Sequence, residues 1–245
     1  MNDETWKRVV AERPENAEAD PIAAALVELV EARRLGLPHV VAQLGLSLDG
    51  RIATDTGDSR YINGSDALTH LHRLRALVDG VLVGAGTARI DNPRLNVRLC
   101  EGQSPARIVI DPNGTVGPEA KVWADDGTEC IVFGGTDRLP SHVERIKTGE
   151  GEIAIGQIVE ALADRGLTRL LVEGGADTLA RFLAAKQIDE LHLLYGRVII
   201  GCGPVGINLP SIPKLSAAPR PGGSTTVFPD GDLLVCCKFG DQAPI

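Results

Sequence analysis

Three short stretches place chemistry-bearing residues at corners of the chain. In "LLVEGGADTL", a carboxylate, Glu173, and two glycines, Gly174 and Gly175, separate an apolar run from a helical pattern. In "VLVGAGTARID", Gly84-Ala85-Gly86-Thr87 does the same. In "LGLSLDG", a run ends in Ser47, Asp49 and Gly50. Glycines at a helix N-terminus let a ligand approach backbone N–H groups, whose dipoles favour phosphate. Two such corners fit the pyrophosphate of a dinucleotide better than one monophosphate. Gly84-Ala85-Gly86 is not a Rossmann fingerprint, because Arg89 stands where a third small residue is required.

Arg75 is the most informative single side chain. On a helical wheel for residues 66–78, Ala67, Leu71, Leu74 and Val78 form the apolar stripe, and Arg75 falls on the same side. Arg73 is expected to point outward. An inward arginine must be paired, snorkelled or bound to an anion. Arg98, beyond "DNPRLNV", is a second anion candidate. Asp49 and Asp91 also sit in ordinary turn contexts, "SLDG" and "IDNP". No Ser-His-Asp order, cysteine-nucleophile context or P-loop lysine supports a hydrolase or kinase.

The elements that must position these residues follow from periodicity. Residues 1–38 read as a helical extension and linker: "ERPENAEAD" is polar, Asp20-Pro21 opens a helix, and Ile22, Leu26, Leu29 and Val30 follow at helical spacing. From His39, short apolar runs alternate with helical segments. "HVVAQLGLSL", "GVLVGAG", "ARIVIDP", "ECIVFGG", "GEIAIG" and "RLLVEGG" read as strands. "SDALTHLHRLRALV", "QIVEALADRG" and "ADTLARFLAAKQ" read as helices. "DELHLLYGRVIIG" and "DLLVCCKFG" are expected to pair antiparallel at an edge, and "PKLSAAPRPGGS" is expected to be a loop. The pattern predicts one α/β domain over 39–245, a mostly parallel central sheet flanked by helices with an antiparallel C-terminal edge.

Composition narrows the partners. A net charge of −8 argues against general nucleic-acid and anionic-membrane binding. There is no apolar leader, and no run approaches the roughly 18 apolar residues of a membrane span. Five cysteines without CxxC spacing point to reduced, buried thiols in a cytoplasmic protein. His70 and His72 lie about 200° apart on a helix and cannot grip one ion together, so no metal site is expected.

Taken as a set, "SLDGRIA…GDSRYING…HRLRALVDGVLVGAGTARIDNPRLNVR" and "RLLVEGGADTLARFL…IDELHL" resemble the reductase domain of bacterial riboflavin biosynthesis, which has a dihydrofolate-reductase-like fold. The resemblance covers roughly His39 to Gly203. It implies NADPH-dependent reduction of 5-amino-6-(5-phosphoribosylamino)uracil by hydride transfer to ribose C1′, and a homodimer. The deaminase domain fused in many such proteins is not expected in this chain. The cofactor is expected near Gly45, Tyr61, Gly84, Gly86, Thr87 and Asp91, and along the turn through Gly174, Gly175, Ala176, Asp177, Thr178 and Leu179. Substrate is expected at Ser59, Arg75, Leu95, Arg98 and Glu173, with Arg75 and Arg98 on the phosphate and Glu173 on the pyrimidine. Asp49, or water, would relay the proton.

Three positions depart from the family pattern. Tyr61 replaces a usual tryptophan and keeps an aromatic surface. "RVIIGCGPVG" lacks the usual proline-containing strand ending. Gln43 stands where many members have lysine, and glutamine supplies neither proton nor charge. This keeps open a dihydropterin or dihydrofolate reductase, or an NADPH-binding module without turnover.

Overall fold

A computed structural model describes residues 1–11, 20–148 and 153–239. Nine strands form one sheet: β1 (His39–Ser47), β2 (Gly80–Gly84), β3 (Ala106–Asp111), β4 (Cys130–Gly134), β5 (Val143–Ile146), β6 (Arg169–Glu173), β7 (Glu190–Gly196), β8 (Gly222–Val227) and β9 (Leu233–Lys238). Their order is β5-β4-β3-β2-β6-β1-β7-β9-β8. All pairs from β5 to β7 are parallel, and β9 joins antiparallel to β7 and to β8. The expected fold class therefore stands. The sheet is mostly parallel with an antiparallel C-terminal edge.

The central strands are buried on both faces, so their apolar residues sort by parity. Val41, Val81, Val83, Val109, Val132 and Leu171 face one layer. Val40, Ala42, Leu44, Leu82, Ile108 and Ile131 face the other. The first face carries the helices α1 (Asp3–Val10), α2 (Pro21–Ala24), α3 (Val27–Leu35), α4 (Ser65–Leu77) and α5 (Ala85–Ile90). The second carries α6 (Ile155–Ala163) and α7 (Ala176–Ala184) through Ile158, Leu162, Leu179, Phe182 and Leu183. Trp6 and Val9 of α1 and Leu29 and Val30 of α3 lie in the same core cluster as Val41 and Leu74. The described part of residues 1–38 is thus packed on the sheet. Asp20 caps α2 with its carboxylate on the N–H groups of Ile22 and Ala23, as Asp-Pro predicts.

Several local readings need correction. "GEIAIG" was expected to be a strand, but its described residues enter α6 at Ile155. β5 and β8 fall in stretches with no strand expected. β5 is four residues long and β8 is an exposed, glycine-started edge. Arg73 points inward: it is buried, donates to the Met1 carbonyl at 3.0 Å and lies over the Trp6 ring, because α1 covers the face of α4 that the wheel assigned to solvent. Cys130 and Cys236 are buried as expected, but Cys202 is exposed and Cys100 and Cys237 are half-buried. The linker "ERPENAEAD" lies almost wholly outside the described residues.

Candidate active site

β2, β6 and β1 are adjacent, and their carboxyl ends place both glycine corners on one side of the sheet. This is where ligands bind in open α/β sheets. Gly84 begins α5 and Gly175 caps α7, and neither helix has a side-chain cap on its first N–H groups. Gly174 and Gly175 have φ of 65° and 71°, the left-handed region where a side chain is strained. The corners meet: a Cβ on Gly175 would lie 3.0 Å from Thr87 Oγ1. They open into a cavity of about 750 Å³, a size that takes a cofactor or drug-like ligand.

Of the expected cofactor residues, Gly45, Tyr61, Gly86, Thr87, Asp91, Gly174, Gly175, Ala176 and Asp177 line this cavity. Gly84, Thr178 and Leu179 do not. Gly84 backs directly onto the Thr178 hydroxyl, and Leu179 is in the core beneath. Tyr61 is 91% exposed at the mouth, held at a positive φ of 66°. Sequence reasoning assigned no site role to Arg60, Asn63, Leu71 or Leu194, which also line it, as does Gln43, the residue in place of the family's usual lysine. Asn63 donates to the Leu194 carbonyl at 2.8 Å, and Gly45 lacks a side chain where Asn63 sits.

The expected substrate residues divide. Ser59 lines the cavity. Arg75 and Glu173 instead face each other in a bidentate pair, with Nε to Oε1 and Nη2 to Oε2 both 2.6 Å. Both are buried, and the remaining Arg75 nitrogen donates to the Asn96 carbonyl at 3.0 Å. Neither residue lines the cavity. Each already holds the other. Leu95 is buried in the core at a φ of 52°. Arg98 is exposed and reaches Asn96 Oδ1 at 3.1 Å.

Charge is unbalanced around that pair. Burial and the positive charges of Arg75 and Arg94 push the pKa of Arg98 down, with Glu173 opposing. His72 is buried behind the same group, and its Nδ1 accepts from the Arg98 N–H at 3.1 Å. Burial, then Arg75 and Arg98, lower its pKa to about 3. The unfolded chain binds this proton below about pH 6.5 and the folded chain does not. Stability from His72 is therefore complete above 6.5 and is lost as the pH falls from there toward 3. Urea unfolding at pH 7 and pH 5 should show a pH penalty about 1–2 kcal/mol smaller in His72→Gln than in the parent. An equal penalty in both would mean that His72 is already charged in the fold.

Asp49 has a structural task. It accepts from Ser47 Oγ at 2.7 Å and from the N–H groups of Ile200 and Gly201 at 3.0 and 2.7 Å. These bonds hold its carboxyl well below the usual range, and it does not line the cavity. A carboxylate so held is a poor proton donor, so it latches the end of β1 to the loop after β7.

Among the described residues, no helix is long and apolar enough to cross a membrane. The model of the family "RibD C-terminal domain" matches residues 38–220. The riboflavin biosynthesis protein RibD of Bacillus amyloliquefaciens is 35% identical over 69% of this chain and 48% of its own length. The 2,5-diamino-6-ribosylamino-4(3H)-pyrimidinone 5′-phosphate reductase of Aquifex aeolicus is 31% identical over 71% of this chain and 82% of its own. A crystal structure of a diaminohydroxyphosphoribosylaminopyrimidine deaminase/5-amino-6-(5-phosphoribosylamino)uracil reductase from Thermotoga maritima superposes with a TM-score of 0.74. It is 29% identical, over 88% of this chain and 61% of that one. The chain spans about half the length of the RibD proteins it matches. With the fold, the paired glycine corners and this match over most of its length, the chain belongs to the RibD C-terminal domain family.

Proposed function

We propose that the protein is an NADPH-dependent reductase of a phosphoribosylamino-pyrimidine in riboflavin biosynthesis, acting on 5-amino-6-(5-phosphoribosylamino)uracil as a homodimer. The observation that carries this reading is the convergence of two glycine corners, each opening an uncapped helix, on one cavity beside a surplus of guanidinium charge. The family supports the reaction class, and the Aquifex relative is named for a reductase of a closely related pyrimidinone phosphate.

The residues present fit a dinucleotide. Gly86 has open space where a Cβ would project, and Gly175 opens α7 at the cavity wall with no side-chain cap on the helix's first N–H groups. Thr87, Ala176 and Asp177 would hold the phosphates and ribose along that wall, and Tyr61 offers an aromatic surface at the mouth. When bound, the cofactor supplies a hydride. The chain's own part is to hold donor and acceptor in contact and exclude water. Arg75, Arg94 and Arg98 carry three positive charges against one from Glu173. A phosphate dianion balances that excess. Glu173 fixes Arg75, and the exposed Arg98 is the group free to close on the phosphate by charge-assisted hydrogen bonds.

Oxidation of reduced nicotinamide should be followed with the aminouracil phosphate, its diaminopyrimidinone analogue, dihydrofolate and a dihydropterin supplied in parallel. Turnover is expected with a phosphoribosylamino-pyrimidine, fastest with the uracil. Turnover only with a pterin or folate, or cofactor binding without any oxidation, would overturn the reading. Arg98→Ala should raise KM for the phosphorylated substrate about tenfold or more with little change in the cofactor's KM. Equal effects on both would remove Arg98 from the phosphate site.

A further inference from the structure

The same sheet face carries a second cluster that the cavity does not use. Glu173, Gln43, His192 and Cys236 are register partners across β6, β1, β7 and β9. Glu190 precedes His192 by two residues on β7, so both point to the face of Cys236. Glu190, His192 and Cys236 are each no more than 1% exposed. Two ligands at i and i+2 on one strand and a third on its neighbour present three donors to one point above a sheet.

We propose that Glu190, His192 and Cys236 form a structural binding site for a divalent, borderline-soft transition ion, zinc in the first instance. The distances fit. Cys236 Sγ lies 3.4 Å from His192 Nε2 and 3.8 Å from Glu190 Oε1, and His192 Nε2 lies 3.9 Å from Glu190 Oε2. Tetrahedral zinc, with bonds of about 2.3 Å to sulfur and about 2.0–2.1 Å to nitrogen and oxygen, separates such donors by roughly 3.3–3.6 Å. Small side-chain shifts close the remaining gap. Both Glu190 oxygens face the other donors, so a bidentate carboxylate supplies the fourth atom.

The surroundings match what metal sites require. His70 Nε2 lies 2.9 Å from His192 Nδ1, which fixes the imidazole with Nε2 toward the cluster. Among the described residues, His70 Nδ1 is itself buried without a partner, so the histidine pair is not explained as a closed hydrogen-bond network. His39 Nε2 holds Glu190 Oε2 from outside at 3.3 Å. A thiolate and a carboxylate balance a divalent ion. The nearby Lys238 ammonium, 3.7 Å from Glu190 Oε1, is neutralised by Glu28 at 2.5 Å. Because the site is closed to solvent, the ion would enter during folding. It would pin the β7–β9 pair beneath α4.

Cobalt(II) gives the test. The full chain is unfolded in guanidinium chloride and refolded with cobalt(II) alone, then dialysed. One equivalent is expected to remain, with a thiolate-to-cobalt charge-transfer band and the strong visible absorption of four-coordination, both abolished by zinc. Cys236→Ser should lose the charge-transfer band, whereas Cys202→Ser should keep it. His70→Phe should weaken binding about 10–100-fold. X-ray absorption on the zinc-refolded parent, which needs no variant, should give one sulfur and two or three nitrogen or oxygen neighbours. No retained metal, a sulfur-free shell, or a band lost only in Cys202→Ser would each overturn the site. None of these readouts depends on the reductase reading.

Discussion

Arg75→Ala is expected to destabilise the protein by about 3–5 kcal/mol, because it strands the Glu173 carboxylate in a site 6% exposed. The pair is bidentate, at 2.6 Å twice, and removing one member leaves the other charged and dry. Arg75→Met with Glu173→Leu removes both charges at similar volume. That double variant should recover all but about 1–2 kcal/mol in urea unfolding, since a well-packed apolar pair often matches a buried ion pair. Its KM for the phosphorylated substrate should stay near the parent's, because one positive and one negative charge leave together and the guanidinium surplus remains two. A single-variant cost below about 1 kcal/mol would mean that the pair opens readily and that Arg75 is available to a ligand on its own.

Gly175→Val is expected to weaken NADPH binding on the order of 100-fold, about 2.7 kcal/mol. A β-branched residue at a φ of 71° costs about 1–2 kcal/mol in backbone strain, and its branch would press on Thr87 Oγ1, already 3.0 Å from the Cβ position. Both effects turn the first N–H groups of α7 away from the cavity. Gly86→Val separates strain from obstruction: Gly86 has no positive φ and nothing within 4 Å of a Cβ. It should fold with nearly parental stability yet also lose cofactor affinity, because the new side chain occupies the cavity. Quenching or enhancement of cofactor fluorescence during titration measures both. Unchanged affinity in the two variants would take the glycine corners out of the cofactor site.

The parallel core was legible because its strands carry continuous apolar runs and its helices carry one apolar stripe. β5 escaped because "VERI" is short and half-exposed, and β8 because "GGSTTV" begins with glycines after a proline-rich stretch. The wheel placed Arg75 inward correctly, but its partner lies 98 residues away, and no local pattern announces such a pairing. Arg73 was misread for a related reason. A wheel assumes one solvent face, whereas α4 is covered by the sheet on one side and by Trp6 and the N-terminal residue on another. The glycine corners could be placed at strand-to-helix turns from composition and spacing, and the structure opens both on one cavity. The Asp49 latch could not, because its donors come from the backbone of residues 200 and 201.

The position of β6 between β2 and β1 bears on how the protein is made. β1 and β2 end at residues 47 and 84, yet neither meets the other, and the strand that joins them closes only at residue 173. While the ribosome extends the chain across that interval, two apolar strands wait with unsatisfied edges, and such edges invite association with other nascent chains. The cavity between the two glycine corners thus has no partial form. Stalled products ending before α7 should accumulate as chaperone clients or aggregates, and slow translation between residues 84 and 173 should lower the soluble yield.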